Sequence, residues 1–391
     1  MTFSRDEVRR YQRHLALAGF GPEAQERLRA GSVLVIGAGG LGCPALLYLA
    51  AAGVGRITVV DFDRVEISNL QRQVLFGTAD EGQPKAEAAA RRLRDLNPLV
   101  SVEALAERFS RANARALVAR HDVVVDGSDN FATRYLVNDA CVLEGKPFVY
   151  GAVQGFEGQV SVFNWRGGPT YRCLFPEPLE PGAVPNCAEA GVLGVLPGLV
   201  GTAQACEAIK LITGIGEPLS GRLLIWDALS GSVQTIGIPA DPKSRGIRDL
   251  PPEGYGETCG VQTPDSTGSP GIAQAGSPMF RFLFGPKPGE EIDVAELRAR
   301  IASSGAVQLV DVREGWERTQ GSIERSVHIP LGELGKGSPA LAKLDPKALT
   351  VVYCAAGYRS IRAARALREH HGFQEAKSLR GGFSSWEKSA S

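Results

Sequence analysis

Residues 32–42 read Ser-Val-Leu-Val-Ile-Gly-Ala-Gly-Gly-Leu-Gly, and this stretch decides the fold of the N-terminal half of the chain. The apolar, β-branched run at 32–36 predicts a short buried strand, and the small apolar residues at 41–52 predict a helix. Glycines between a strand and a helix let the backbone turn tightly towards a phosphate, which free N–H groups at the helix start can bind. The sequence therefore predicts a nucleotide-binding turn formed by Gly37, Gly39, Gly40 and Gly42.

The segments around this turn alternate between strand and helix patterns. A second strand is predicted at 56–60, directly before Asp61, and further strands at 122–125 and 147–149. Such alternation favours an α/β fold with a mostly parallel, doubly wound (Rossmann-like) sheet. Ahead of it, Ser4 and Glu7 have the spacing of a capping box, so we predict one helical region over 4–29.

Composition and charge narrow the class of protein. The 391 residues exceed what one compact domain usually holds, and 43 basic and 43 acidic side chains give a net charge of +0, so no global field attracts nucleic acid or an anionic membrane. The N-terminus is charged and unlike a signal peptide, apolar runs are too short to span a bilayer, and the seven cysteines are scattered like reduced thiols. We therefore expect a cytoplasmic protein with no membrane and no direct nucleic-acid partner.

The composition changes after about residue 239. Residues 241–288 are rich in Pro, Gly, Ser and Thr, and a second αβ pattern follows them. That pattern consists of a helix at 293–302, strands at 307–310 and 350–353, and a helix at 360–370. We predict a first domain at 1–245, a flexible linker at 246–287, and a small α/β domain at 288–391.

Polar residues that follow the predicted strands narrow the ligand of the glycine turn, which could be NAD, S-adenosylmethionine or ATP. A carboxylate such as Asp61 can bind ribose hydroxyls. Arg72 and Lys85 come next, and attack at the α-phosphorus of a triphosphate needs cations for the developing charge and the leaving pyrophosphate. Mg²⁺ prefers carboxylate oxygen, which makes Asp129, with Asn130 beside it, the candidate metal ligand. The ordered set favours ATP and Mg²⁺.

Five motifs carry a family resemblance: GAGGLG at 37–42, VDFD at 60–63, SNLQRQ at 68–73, GQPK at 82–85 and GSDN at 127–130. Together they resemble the adenylating enzymes that activate sulfur carriers for molybdopterin and thiamin synthesis, which are related to ubiquitin-activating enzymes. The resemblance covers roughly residues 11–237. It implies contacts to ATP or its metal from Gly40, Asp61, Asp63, Ser68, Asn69, Arg72, Lys85, Asp129 and Asn130. It also implies a homodimer, in which Arg13 reaches the phosphates in the neighbouring subunit's site.

The cysteines of the first domain divide into one candidate nucleophile and several core residues. By the same resemblance, Cys187 lies on a mobile loop over the adenylate, where it attacks the activated carrier or resolves a disulfide; the alternative is a small buried residue. Cys43, Cys141 and Cys206 lie in apolar helical patterns and are expected in the core.

Many relatives hold a structural zinc with two C-x-x-C pairs, each supplying two of four thiolates. Here Thr170 stands where the first thiol would be, which leaves Cys173 alone, and the second pair would fall at 241–246, where there is no cysteine. We therefore expect no structural zinc.

The C-terminal domain has its own candidate nucleophile in VVYCAAGYRS at 351–360, a strand, a short loop and a helix start. Backbone N–H groups and the helix dipole there would stabilise a thiolate or persulfide on Cys354, Arg359 adds a fixed positive charge, and Gly357 allows the loop conformation. DVRE at 311–314, HIP at 328–330 and GGFSSW at 381–386 resemble the rhodanese family, which implies that Cys354 carries the persulfide. Four residues separate Cys354 from Arg359, one fewer than in dual-specificity phosphatases, so the cradle suits sulfur.

The two halves together resemble the fused activating enzyme–rhodanese proteins of molybdopterin synthesis and tRNA thiolation. This implies adenylation of the terminal glycine of a small β-grasp carrier ending in Gly-Gly, followed by sulfur transfer from Cys354, which the linker would allow to reach the adenylate. The carrier and the donor, a cysteine desulfurase persulfide or thiosulfate, stay open. The alternatives are a nicotinamide-dependent oxidoreductase fused to a rhodanese domain, a non-catalytic carrier-binding scaffold, and an adenylating enzyme that acts on tRNA.

Overall fold

The computed structural model describes residues 3–176, 191–251, 255, 289–303, 307–319, 321–334, 338–355 and 357–389. They belong to two compact units, residues 1–264 and 265–391. Cys187 and most of the predicted linker lie outside the described residues, so the predictions about them remain predictions.

The first unit is built on an eight-stranded sheet in the order β3-β2-β1-β4-β5-β6-β7-β8. The strands are β1 (Ser32–Ile36), β2 (Arg56–Val60), β3 (Ser101–Leu105), β4 (Val123–Asp126), β5 (Phe148–Gln154), β6 (Glu157–Phe163), β7 (Arg222–Asp227) and β8 (Ser232–Gly237). Strands β1–β5 pair in parallel, and β6–β8 add an antiparallel extension. The predicted doubly wound α/β class is confirmed.

Eight α-helices of the first unit are described. They are α1 (Arg5–Leu15), α2 (Gly21–Ala30), α3 (Gly42–Ala52), α4 (Lys85–Leu96), α5 (Ala114–Ala119), α6 (Phe131–Glu144), α7 (Tyr171–Leu174) and α8 (Val195–Thr213). The capping box at Ser4 and Glu7 is present. The region predicted to be helical over 4–29 forms two helices, because Gly19 and Gly21, with φ values of 81° and 63°, separate α1 from α2.

The core of the first unit lies between the sheet and its helices. All five residues of β1 are buried, and α8 packs against α3 and β4–β6. Among the described helices, α8 alone has the length and apolar composition that a membrane span requires, and half of it is buried inside the unit. Its packing is that of a core helix.

The first residues of the predicted linker also pack on this unit. Leu250 is buried, and its carbonyl accepts a hydrogen bond from Arg111 at 3.1 Å. Tyr255 stacks on Tyr135 and donates a hydrogen bond to Asp139.

The second unit is a five-stranded parallel sheet in the order β11-β10-β12-β13-β9. Its strands are β9 (Glu291–Ile292), β10 (Val307–Asp311), β11 (Val327–His328), β12 (Leu349–Tyr353) and β13 (Ala376–Leu379). Its helices are α9 (Val294–Ala302), α10 (Gly315–Arg318), α11 (Leu331–Leu334), α12 (Tyr358–His371) and α13 (Gly382–Lys388). Alternate residues of β12 enter separate core clusters, Val352 in one and Val351 and Tyr353 in the other, as expected for a sheet buried on both faces.

Candidate nucleotide-binding and sulfur-transfer sites

The carboxyl ends of β1, β2 and β4 meet at one edge of the first sheet. Ile36, the last residue of β1, pairs with Val60 on one side and Asp126 on the other. The strand order changes direction at β1, which makes this edge a topological switch point, the usual position of a ligand in an open α/β sheet.

The predicted glycine turn closes too tightly to admit side chains. Gly37 has φ 88°, donates its N–H to Val60 O at 2.8 Å, and a Cβ there would stand 2.9 Å from Gly127 O. A Cβ on Gly42 would overlap the carbonyl oxygen of Gly37. No side chain caps the start of α3, so the helix N-terminus is open to an anion.

The Asp61 carboxylate stabilises the backbone of this turn by hydrogen bonding. Its two carboxylate oxygens accept the N–H groups of Ala38 at 2.7 Å and Asp63 at 2.8 Å. Burial raises the pKa of Asp61, and these hydrogen bonds oppose that shift. Each carboxylate oxygen retains a second lone pair, so the predicted bond to a ribose hydroxyl is compatible with this role.

Lys85 and Asp63 form a pair beside Asp61. Lys85 is the first residue of α4, is only 5% exposed, and its Nζ lies 3.1 Å from Asp63 Oδ2. The backbone N–H of Lys85 also donates to Asp63 O at 2.9 Å. A nearly buried ammonium ion held at the ends of these strands is suited to phosphate charge.

The SNLQRQ segment places Arg72 against the glycine turn. Ser68 and Asn69 lie in a short 3₁₀ helix (Ile67–Asn69), and Asn69 Oδ1 accepts a hydrogen bond from Gln73 at 2.8 Å. A Cβ on Gly40 would meet Arg72 Cδ at 3.5 Å, so the arginine stem passes over the turn. Within the described residues, the Arg72 side chain forms no ion pair, and its one hydrogen bond is donated to the Ser68 carbonyl at 3.5 Å. Its guanidinium is therefore available to an anion.

Asp129 and Asn130 follow β4 and have different environments. Asn130 caps α6, where its side chain accepts the Thr133 N–H at 2.9 Å, so it has a structural function of its own. Asp129 is exposed and has no hydrogen bond or ion pair in the described part of the chain. That part contains no cluster of three or more metal-ligating side chains, so a metal at Asp129 would need further ligands from bound phosphates.

Arg13 is not brought to this site within one chain. It is exposed on α1, and its neighbour Tyr11 lies against Gly53, which ends α3. The glycine turn is at the other end of α3, roughly 16 Å away for a helix of this length.

A buried polar group beneath the turn was missed from the sequence. Asp126 ends β4, is fully buried, and accepts a hydrogen bond from Ser128 Oγ at 2.6 Å, while Arg134 Nε lies 4.0 Å away. Gln204 of α8 donates to the Asp126 carbonyl at 2.7 Å. Burial raises the pKa of Asp126. The contacts of Asp126 hold the end of β4, three residues before Asp129. The sequence signal that could have identified Asp126 is its position as the first aspartate of DGSDN at 126–130.

The cysteines differ from expectation at one position. Cys43 and Cys141 are buried as predicted, and burial raises the pKa of Cys43 to about 12, which makes it a poor nucleophile. The prediction that Cys206 lies in the core is wrong, because its side chain is on an exposed face of α8. Helical apolar periodicity did not reveal which face is covered.

The corner where many relatives hold zinc contains a hydrogen-bonded cluster around Cys173 in this chain. The Cys173 Sγ lies 3.7 Å from Thr170 Oγ1 and 3.2 Å from Ser244 Oγ, and it accepts backbone N–H groups of Thr170 and Asp241, each at 3.3 Å. These N–H and hydroxyl contacts lower the pKa of Cys173 against the effect of burial. Polar contacts thus link the start of α7 to residues 241–244.

In the second unit, Cys354 directly follows β12 and is 2% exposed. The Gly357 N–H points at its Sγ at 3.1 Å, and Ser360 Oγ lies at 3.6 Å. Gly357 has φ 101° and caps α12, as the loop was predicted to require. The geometry suits a thiolate or persulfide anion.

The start of α13 closes over this loop. Phe383 N–H donates to the Cys354 carbonyl at 2.8 Å, and Ser384 N–H to the Ala355 carbonyl at 3.0 Å. A Cβ on Gly382 would overlap both carbonyls, so glycine is required for this approach.

The fixed positive charge predicted at Arg359 has a carboxylate partner. Its two Nη atoms bind both carboxylate oxygens of Glu317 in α10, at 2.6 and 2.5 Å. Glu317 was missed from the sequence, because nothing in the spacing of residues 317 and 359 indicates their contact.

Comparison with known proteins identifies a family for each half of the chain. The ThiF family model matches residues 11–246, and the rhodanese-like domain model matches residues 293–389. The chain is 46% identical to a probable adenylyltransferase/sulfurtransferase, MoeZ, from Mycobacterium tuberculosis, over 98% of this chain and 94% of the relative. It is 53% identical to a sulfur carrier protein adenylyltransferase from Thermus thermophilus, over 67% of this chain and all of the relative.

A solved structure of E. coli MccB with MccA-N7isoASN shares the fold of the first unit. It aligns with a TM-score of 0.55 at 23% identity, over 62% of this chain and 74% of that one. Both resemblances stated from the sequence motifs, one for each half of the chain, are confirmed.

Proposed function

Because the chain belongs to the ThiF family and carries a rhodanese-like domain in the same polypeptide, we propose that it activates the C-terminal glycine of a small β-grasp sulfur-carrier protein and transfers sulfur to it from Cys354. The chain is an ATP-using enzyme of the adenylyltransferase/sulfurtransferase class. The observation that carries the proposal is the presence, in one chain, of a crowded glycine turn with Arg72 and Lys85 at the same sheet edge and of a cysteine whose sulfur faces the Gly357 N–H.

In the first step, the terminal carboxylate of the carrier attacks the α-phosphorus of ATP, pyrophosphate leaves, and an acyl-adenylate forms. The glycine turn and the start of α3 bind phosphate oxygens, Asp61 orients the ribose, and Arg72 and Lys85 neutralise charge that develops on the leaving group. Asp129 fits Mg²⁺ because its carboxylate is exposed and unpaired among the described residues. When bound, Mg²⁺ would neutralise phosphate charge.

In the second step, the terminal sulfur of a Cys354 persulfide attacks the acyl carbon, AMP leaves, and an acyl disulfide forms. A second thiol, Cys187 or an external one, attacks the Cys354 sulfur, so that the carrier leaves as a thiocarboxylate and the two thiols form a disulfide. An external thiol then reduces that disulfide. The Gly357 N–H and Ser360 hydroxyl stabilise the sulfur anion of Cys354.

We also propose a cytoplasmic homodimer in which Arg13 completes the partner subunit's nucleotide site. The exposed position of Arg13, on a helix anchored at the far end of α3, supports this arrangement. The five described cysteines are free thiols, in keeping with a reducing compartment.

The test is pyrophosphate release from ATP with a purified β-grasp carrier ending in Gly-Gly, compared with the same carrier lacking both glycines. Release only with the intact tail supports carrier activation and excludes the oxidoreductase and the scaffold. Cys354→Ser should abolish thiocarboxylate formation and leave pyrophosphate release intact, whereas Cys206→Ser, the matched control on the exposed face of α8, should leave both activities intact. If none of the plausible carriers causes pyrophosphate release although nucleotide still binds, the acceptor has been misassigned.

A further inference from the structure

Arg359, the cation nearest in sequence to the Cys354 loop, donates two parallel charge-assisted hydrogen bonds to the Glu317 carboxylate. The Arg359 side chain is 34% exposed and that of Glu317 is 12% exposed, so the arginine is partly open to solvent and the carboxylate is mostly covered. Glu317 is the first cause of the raised pKa of Arg359, and Cys354 contributes in the same direction. Arg359 therefore interacts with both the carboxylate and the thiol.

Glu317 is fixed where it meets Arg359. Its Oε2 also accepts the backbone N–H of Glu314 at 2.8 Å, which closes a capping box at the start of α10. The hydrogen bonds from Arg359 lower the pKa of Glu317, so its carboxylate is ionised at neutral pH. The negative charge opposite Arg359 is thus built into α10.

The described cradle otherwise contacts the Cys354 sulfur with neutral groups. Its contacts to Cys354 Sγ are the Gly357 N–H and the Ser360 hydroxyl, both neutral. Arg313, which packs on Tyr353 at the end of β12, is paired with Asp311 at 2.8 and 2.9 Å. A donor that approaches the loop meets dipoles and a neutralised ion pair.

We infer that Glu317 is a specificity-determining residue of the sulfur-transfer site. Its carboxylate neutralises Arg359, whose positive charge would otherwise attract a dianionic donor such as thiosulfate. Persulfides are therefore the preferred donors. The inference rests on the sulfur-transfer role proposed for Cys354. With a persulfide, the Cys354 thiolate attacks the outer sulfur of R–S–SH, the S–S bond breaks, and R–S⁻ leaves. With thiosulfate, the same attack on the sulfane sulfur releases sulfite.

Charge arithmetic gives the size of the effect. One uncompensated positive charge about 6 Å from the donor, in water-like surroundings, would strengthen binding of a dianion about tenfold and of a monoanion about threefold. Removing the Glu317 charge should therefore favour thiosulfate over a persulfide about threefold in KM.

The experiment measures thiocyanate formation by the full-length protein, with cyanide as acceptor and either thiosulfate or cysteine persulfide as donor. In Glu317→Gln we expect the KM for thiosulfate to fall about tenfold and that for cysteine persulfide about threefold. Arg359→Ala leaves the Glu317 charge uncompensated, so it should raise both KM values by the same factors, and the double variant should return them to about the wild-type values. The matched control is Glu290→Gln, which removes a carboxylate paired with Arg368 before β9 and should leave KM unchanged.

A purely structural role for Glu317 would lower kcat for both donors without lowering either KM, and that result would overturn the inference. If Glu317→Gln does not fold, Glu317→Asp decides: it retains the charge, so KM for thiosulfate should stay at the wild-type value while kcat falls, and a fall in KM would contradict the inference. If the wild-type protein forms no thiocyanate from either donor, sulfur transfer itself fails, and the inference with it.

Discussion

The Cys173 cluster predicts that three substitutions would create a zinc site in this chain. Tetrahedral zinc with four thiolates at about 2.3 Å places the sulfur atoms about 3.8 Å apart. Cys173 Sγ already lies 3.7 Å from Thr170 Oγ1 and 3.2 Å from Ser244 Oγ, and it accepts the N–H of Asp241. Replacement of Thr170, Asp241 and Ser244 by cysteine should therefore give four thiolates with nearly the required spacing.

The magnitude follows from ligand linkage. At a free zinc concentration one hundred times the dissociation constant, binding stabilises the folded state by about 2.7 kcal/mol. For a unit of this size, that shift corresponds to a rise of roughly 5–10 °C in the unfolding temperature. The contribution requires all four ligands, because the site gains its stability from closing the link between α7 and residues 241–244.

The assay is metal content by elemental analysis after gel filtration, with thermal unfolding measured in the presence and absence of a chelator. We expect one zinc per chain in the triple-cysteine variant and a chelator-sensitive unfolding temperature. The matched control carries Thr170→Ser and Asp241→Ser with Ser244 retained, and should bind no zinc at this corner. A folded triple-cysteine variant that binds no stoichiometric zinc would refute the geometric reasoning.

Three further predictions concern the two sites. Lys85→Met should lower carrier-dependent pyrophosphate release by about 10²–10³-fold, because a positioned cation is lost, while thiocyanate formation stays unchanged; equal losses in both assays would indicate misfolding instead. In urea unfolding, Gly37→Ala should lower the free energy of unfolding by more than Gly145→Ala. Alanine at either position has the unfavourable left-handed backbone conformation, which costs about 1–2 kcal/mol, but only at position 37 would its Cβ lie 2.9 Å from a carbonyl oxygen, that of Gly127. Equal effects would contradict the crowding of the turn. The pKa of Glu317 is lowered, so its pair with Arg359 stabilises the fold above the ordinary glutamate pKa of 4.5, and this contribution is lost as pH falls through the lower folded value. In calorimetry, Glu317→Gln should therefore lose less stability than the wild-type protein over that pH window. The same loss of stability in both proteins would argue against the pairing.

The fold class could be predicted from the sequence because strand formation and tight turns depend mainly on neighbouring residues. The run at 32–36 is apolar and β-branched, and the glycines after it are required by contacts with Gly127 and within the turn itself. Motifs that follow strands also placed Asp61, Lys85 and Asp129 at one sheet edge, since parallel strands end together.

What the sequence did not reveal depends on contacts between distant residues. Residues 317 and 359 meet only because β10 and β12 are neighbours, so an apparently free arginine is an ion pair. Cys206 has the same helical surroundings in sequence as a core residue, yet its face of α8 is left uncovered in the unit. The Cys173 cluster likewise joins segments about 70 residues apart, which no local pattern could indicate.

The closure of α13 over the Cys354 loop also has a consequence for synthesis on the ribosome. Cys354 is translated before Gly382, Phe383 and Ser384, whose backbone packs on the loop carbonyls. A nascent chain therefore exposes this thiol until residues 382–384 have been translated and can pack on the loop. Premature termination near residue 380 would leave a protein with an intact glycine turn and a Cys354 loop that lacks its α13 contacts.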